Sequence, residues 1–232
     1  MQLQRIQQAI LDYEAFLGSG EAAEQRLFYW ESQRIFQECW DLEAGDFAGM
    51  YEQSLQNTKT RRLWTRENYE PKRMMLRFIS MLPDFVRQMF SDLFNETKSV
   101  EPRMDRFVFY CDELLQDYKR ANPRTTENSH FHNDNYEMIS LYLAFRYPDR
   151  YAPYRYEVFR ELMVKFASPD IPAVNDVERY FKVMRTLYNM LNKNENLKNL
   201  HAARIEKEGL FQQESLLLAF DFACFCTSSL EK

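Results

Sequence analysis

Residues 28–50 read FYWESQRIFQECWDLEAGDFAGM. Phe28, Ile35, Phe36 and Cys39 fall on one face at helical spacing, in a segment that runs to Trp40. Asp41 to Gly45 supplies a turn, and Asp46 stands where an N-cap would start a short helix through Leu55. Two aromatic-rich helices joined by an acidic turn, with no period-two alternation, point to an all-α chain.

The same rhythm extends outward. Leu3, Ile6, Ile10, Tyr13 and Leu17 form the stripe of a first helix, closed by Gly18-Ser19-Gly20, and the second helix is expected from about Glu21. Asn57 to Glu70 lacks periodicity and reads as a loop. Pro71 and Pro83 each suit a first helical turn, where the missing N–H costs nothing, so helices are expected over 71–81 and 83–96. A further stripe, Phe107, Cys111, Leu114, Leu115 and Tyr118, predicts a helix over 103–119. Asn133 or Asp134 is the expected cap of a helix through Tyr147, which Pro148 stops. Pro153 is expected to open the next, to about Phe166. Helices over 174–191, 197–207 and 214–226 complete the set. No internal repeat supports a solenoid. The reading is one multi-helix globular domain over 1–232, with 121–132 as the place for an exposed loop or a boundary between two helical lobes.

Composition narrows the class. With only five glycines in 232 residues, many short strands joined by tight turns are disfavoured. Nineteen Phe and fourteen Tyr must mostly fill a core, so Trp30, Phe36 and Trp40 are expected inside, whereas Tyr147, Tyr151, Tyr154 and Tyr156 straddle a helix junction and are expected nearer the surface. The longest apolar run, Leu216 to Cys226, holds Asp221 and falls short of the ~20 residues a bilayer span needs. The N-terminus is polar and helical in rhythm, unlike a signal peptide. A cytoplasmic protein with reduced Cys39, Cys111, Cys224 and Cys226, and no membrane partner, is expected.

Catalytic signatures are scarce. GxxxxGK[ST], GxGxxG and GxSxG are absent. His130-Phe131-His132-Asn133-Asp134 has the HxHxD spacing that begins some dinuclear metal sites. No apolar strand precedes it, however, and only His201 remains as another histidine, so three histidine ligands with an open position are not in prospect. No metal, cofactor or catalytic residue is expected.

Charge gives the better lead. Residues 1–58 carry ten acidic and three basic side chains, whereas 59–77 carry seven basic (Lys59, Arg61, Arg62, Arg66, Lys72, Arg73 and Arg77) and two acidic, Glu67 and Glu70. Lys59, Arg61, Arg62, Arg66, Lys72 and Arg73 are candidate phosphate contacts, with Trp64 and Tyr69 as candidate stacking platforms for a base. The competing reading is a solvated loop whose cations pair with the acidic remainder of the chain.

Several blocks resemble the region ahead of the motor domain in McrB-like AAA+ proteins of modification-dependent restriction systems. They are Phe28-Tyr29-Trp30-Glu31, Phe36 to Asp41, Asp46-Phe47-Ala48, Tyr69-Glu70-Pro71, Met89 to Glu96, Tyr142 to Phe159 and Leu217 to Phe225. The resemblance implies a helical recognition or adaptor module for target nucleic acid or a protein, with an AAA+ motor or nuclease subunit as partner. The module would be a separated domain, a truncated form or a stand-alone relative. These are packing motifs, and they transfer no functional residue. The rival expectation is a stand-alone helical interaction protein without a nucleic-acid role, and a distant third is a metal-dependent hydrolase at His130, His132 and Asp134.

Overall fold

Apolar stripes organise eleven helices in the residues described, 1–22, 24–210 and 214–227 of a computed structural model. They are α1 (Leu3–Gly18), α2 (Phe28–Cys39), α3 (Phe47–Ser54), α4 (Pro71–Met81), α5 (Pro83–Leu93), α6 (Val100–Ala121), α7 (Glu137–Arg146), α8 (Tyr156–Lys165), α9 (Val177–Leu191), α10 (Glu195–Lys207) and α11 (Leu217–Cys226). No strand occurs among these residues. The only β-type pairing there is an isolated bridge between Arg66 and Tyr69. The fold class is all-α.

Helix α2 packs on α3 and α7, α5 on α6, and α11 on α8 and α9. Trp40, just past α2, centres an aromatic cluster, with ring centroids 4.6 Å from Phe36, 4.9 Å from Phe90 and 5.7 Å from Phe94. Trp30, Phe36 and Trp40 are all buried, as the aromatic content predicts, whereas Phe28, Ile35 and Cys39 of the expected stripe are only half-buried. At the other end α11 is apolar apart from Asp221 and buried at every position except Phe225. Each large apolar side chain so buried contributes about 1.5–3 kcal/mol.

Helix starts differ from expectation wherever distant atoms claim the backbone. The second helix begins at Phe28, not Glu21, because Arg26 takes a left-handed φ of 56° and places its guanidinium Nε 2.5 Å from the Asp221 carboxylate. Pro153 does not open a helix. Its carbonyl accepts from the Tyr180 hydroxyl at 2.5 Å and Tyr154 N–H donates to Ser140 Oγ at 2.7 Å, so α8 waits until Tyr156. Asn133 and Asp134 do not cap α7, which starts at Glu137 behind Tyr136 at φ 58°. Asp46 does cap α3, accepting from Gly49 N–H at 2.9 Å, and a Cβ at Gly49 would run into that carboxylate.

Two surface expectations are corrected by the same kind of tertiary contact. Tyr151 and Tyr154 are buried, while Tyr147 and Tyr156 are half-buried. Tyr151 accepts a hydrogen bond from the buried Arg103 guanidinium at 2.7 Å. The end of the 121–132 segment is not an open loop either, since His130 and His132 are buried and Glu127 receives ion pairs from Arg73 and Arg77 of α4. No helix among the described residues is long and apolar enough to cross a membrane.

Candidate functional site: an arginine loop over a small cleft

The basic segment is a built structure. Asn57 Oδ1 accepts from the N–H groups of Lys59 and Thr60 at 2.9 and 2.8 Å, while its amide donates to Phe28 O and Ser32 Oγ at 2.8 and 2.6 Å. The buried Glu31 carboxylate accepts from Thr58 N–H and Lys59 N–H, both at 3.1 Å, and from the Thr58 hydroxyl. Charge-assisted bonds of this kind are about twice as strong as neutral ones. They fix the start of the loop to α2. Further on, Arg66 and Tyr69 exchange backbone bonds of 2.9 and 3.0 Å around Asn68, whose φ is 55°.

This scaffold sorts the candidate residues. Lys59 pairs with Glu208 at 2.8 Å. Lys72 Nζ donates to the carbonyls of Glu52 and Leu55 at the end of α3, and its pKa is lowered by burial. Arg73 is held by Glu70 and Glu127, and Arg77 by Glu127 at 2.7 Å. Trp64 is 3% exposed, edge-on to Phe145 at 6.0 Å, so it anchors the loop in the core and has no face free for a base. Arg61 and Arg62 are exposed without a carboxylate partner among the described residues, and Arg66 stacks 4.3 Å from the Tyr69 ring centroid.

Arg62, Arg66 and Tyr69 line a cleft of about 30 Å³ whose other walls include Tyr29, Glu137, Tyr154 and Arg155. Burial works against the charge of Arg155, but Tyr29 and Glu137 outweigh it and raise its pKa. Arg155 carries no sequence signal, lying far along the chain from the basic segment. The cleft gathers three guanidinium groups against one carboxylate. That arrangement can hold an anion.

The HxHxD motif divides. Asp134 is exposed and receives Asn175 Nδ2 on its carbonyl, whereas His130 and His132 turn inward. Their third neighbour is the buried Cys111 of α6, and one ligand atom from each of the three lies within 4.8 Å of the others. Sequence reasoning sought a third histidine and overlooked this thiol. The hydrogen bonds decide how far the set fits a metal. His130 Nδ1 accepts from His132 N–H at 3.0 Å, which assigns the proton to Nε2, 3.0 Å from Asp112. His132 Nδ1–H donates to His130 O at 2.7 Å, leaving Nε2 to accept from Tyr142 OH at 2.9 Å. His130 therefore offers no free lone pair. One imidazole and one thiol fall short of three ligands. Burial lowers the His132 pKa to about 3 and pushes the Cys111 thiol up, so both of these groups are neutral.

No protein-family model matches this chain, and neither a curated protein nor a solved structure matches it.

Proposed function

We propose that this chain is a non-catalytic recognition module whose contact with an anionic target, nucleic acid first, is the Arg61–Arg66 loop. The observation that supports it is the sorting of charge. Lys59, Lys72, Arg73 and Arg77 are committed to internal partners, while Arg61, Arg62 and Arg66 are left exposed, the last two beside Arg155, on a loop held by Glu31 and Trp64. A rigid mount lowers the entropy cost of fixing a flexible cation on a phosphate. The setting, a McrB-like restriction or defence system with an AAA+ motor or nuclease partner, rests on the resemblance of the packing motifs.

Fluorescence anisotropy with single- and double-stranded oligonucleotides at several salt concentrations tests this. Binding should weaken steeply with salt. Replacing Arg61, Arg62 and Arg66 by Ala should flatten the log–log slope by roughly 0.7–0.9 for each phosphate no longer neutralised. An unchanged slope and affinity in the triple variant would remove the loop from the site.

A second reading, a protein-interaction module without a nucleic-acid role, is favoured by one surface feature. Leu82, Phe85 and Phe109 are exposed, with Phe85 and Phe109 both edge-on to Tyr110 at 5.4 and 5.8 Å. Clustered exposed aromatics mark interaction surfaces more often than scattered ones. If Phe85→Ser with Phe109→Ser abolishes recovery of a motor protein while the arginine variant does not, this second reading replaces the first.

A further inference from the structure

The small cleft beside the basic loop draws its third guanidinium group from a distant segment, and the fold shows why it is there. Pro153 and Tyr154 are pinned by Tyr180 and Ser140, so Arg155 stays extended, at φ −141° and ψ 119°, and stands at the cap position of α8. Its side chain bonds to the hydroxyl of the buried Tyr29 and forms no ion pair among the described residues. None of its nitrogens is shut away without a partner, in contrast to Arg26 and Arg204, each of which has one that is.

Tyr69 stands between the two sources of charge. Its hydroxyl feels both Arg66 and Arg155, has no hydrogen-bond partner among the described residues and is not sealed from solvent. Burial raises its pKa to about 12, so it is a proton donor at neutral pH. Arg66 covers one face of the ring at 4.3 Å and Phe131 packs against it at 5.5 Å, which takes up the platform a base would need.

Size and charge narrow the occupant. A volume of about 30 Å³ is far below the ~300 Å³ at which small-molecule sites begin, so a phosphoryl group fits and a nucleobase does not. Arg62, Arg66 and Arg155 against the Glu137 carboxylate leave two positive charges in the lining. A phosphodiester carries one negative charge, whereas a phosphate monoester carries about −1.5 to −2 at neutral pH and presents three acceptor oxygens. Helix α7 begins at Glu137 and α8 is capped at Arg155, so the positive ends of both helices border the same cleft. Resting on the anion-binding reading of this loop, we propose that the cleft holds a phosphate monoester, the terminal phosphate of a nucleic-acid strand. Arg62, Arg66, Arg155 and the Tyr69 hydroxyl donate to its oxygens, while Arg61, outside the cleft, meets the backbone of the strand.

The test compares one single-stranded oligonucleotide bearing a 5′-phosphate, a 3′-phosphate or neither, with a nucleoside 5′-monophosphate as the free form, by anisotropy and calorimetry on the full chain. One phosphorylated strand should bind roughly tenfold or more tighter than the strand without a terminal phosphate. Tyr69→Phe, which keeps the ring under Arg66, and Arg155→Gln should each bring that ratio toward one, with folding checked by circular dichroism. Tyr69→Phe decides the matter if Arg155→Gln does not fold. Arg61→Ala should weaken all three strands and leave the ratio as it was. Binding of the nucleotide without any strand would keep the cleft as a monoester site, assign it to a small molecule and remove the nucleic-acid reading. Equal affinity for all three strands, lowered together in the Arg61, Arg62 and Arg66 triple variant, overturns the terminal phosphate and leaves the loop reading standing. A ratio unchanged in Tyr69→Phe also overturns the proposal, and no binding of any species overturns both readings.

Discussion

Two buried polar centres hold this fold together, and they solve the same problem in opposite ways. At one, Asp221 of α11 receives Arg26 on one oxygen at 2.5 Å, and Arg204 of α10 and the Tyr13 hydroxyl of α1 on the other at 3.0 and 2.5 Å. Burial disfavours the Asp221 charge, but the two guanidinium groups outweigh it and lower its pKa. At the other, Tyr51 of α3, Tyr142 of α7, His132 and His130 form an uncharged relay, with 2.6 Å between the two phenol oxygens. The first carries net positive charge inside the protein. The second carries none. An ionic centre tolerates the loss of a partner poorly, because the remaining charges stay buried, whereas a neutral relay loses one hydrogen bond at a time.

The largest expected effect follows directly. Asp221→Ala strands Arg26 and Arg204 together and should cost about 3–5 kcal/mol in urea unfolding. It should also free residues 24–27 from their non-helical path, since Arg26 is drawn there by Asp221. A cost no greater than that of disrupting the neutral relay would erase the distinction between the centres.

Acid should separate them next. His132 and His201 have folded pKa values of about 3 and about 4 against an ordinary 6.5. Below pH 6.5 the unfolded chain takes up protons at these rings that the folded chain refuses. Stability is therefore full above pH 6.5 and falls by about 1.4 kcal/mol per pH unit for each ring, until pH reaches the folded values. Asp221 adds nothing to the slope in this window, because its contribution is lost only below the ordinary 3.8. Urea titrations between pH 7 and 5 should show the fall, and a flat profile there would mean that the rings are hydrated or charged in the native state.

A smaller loss is expected at the relay itself. Tyr142→Phe removes the hydroxyl between Tyr51 and His132 Nε2, leaving the ring nitrogen unsatisfied, at a cost of about 1–3 kcal/mol. Tyr51→Phe, at the outer end of the chain of bonds, should cost less. Reversal of that order would place the proton donor elsewhere.

These centres also show what the sequence could and could not disclose. The stripes of α1 and α6 are local patterns, and they predict the buried faces apart from the exposed Leu3 and the half-buried Tyr118. Arg26, Pro153 and Asn133 mislead because their backbone is set by Asp221, Tyr180 and the His130–His132 turn, which no local window contains. The basic segment is legible as composition. Its sorting is not, since the partner of Lys59 is Glu208, 149 residues away, and Trp64 sits in a stretch without periodicity that gives no hint of its burial. Cys111 reads as one more inward position of a helical stripe, and only the fold brings it to the two histidines.

The smallest stability effect should fall on the residues proposed to matter most for binding. Arg61, Arg62 and Arg66 are exposed and make no ion pair among the described residues, so their joint replacement by Ala should leave unfolding free energy within about 1 kcal/mol of the parent. Most of that small cost would come from the stacking of Arg66 on Tyr69, worth about 0.5–1 kcal/mol at an exposed site. Trp64→Ala, in the same loop, should cost roughly 3–5 kcal/mol because it empties a core position. The loop thus joins a structural residue to binding residues within three positions, and the two variants pull stability and affinity apart. A triple arginine variant that unfolds as readily as Trp64→Ala would show that these side chains brace the fold, and the anion site would have to be sought on another face.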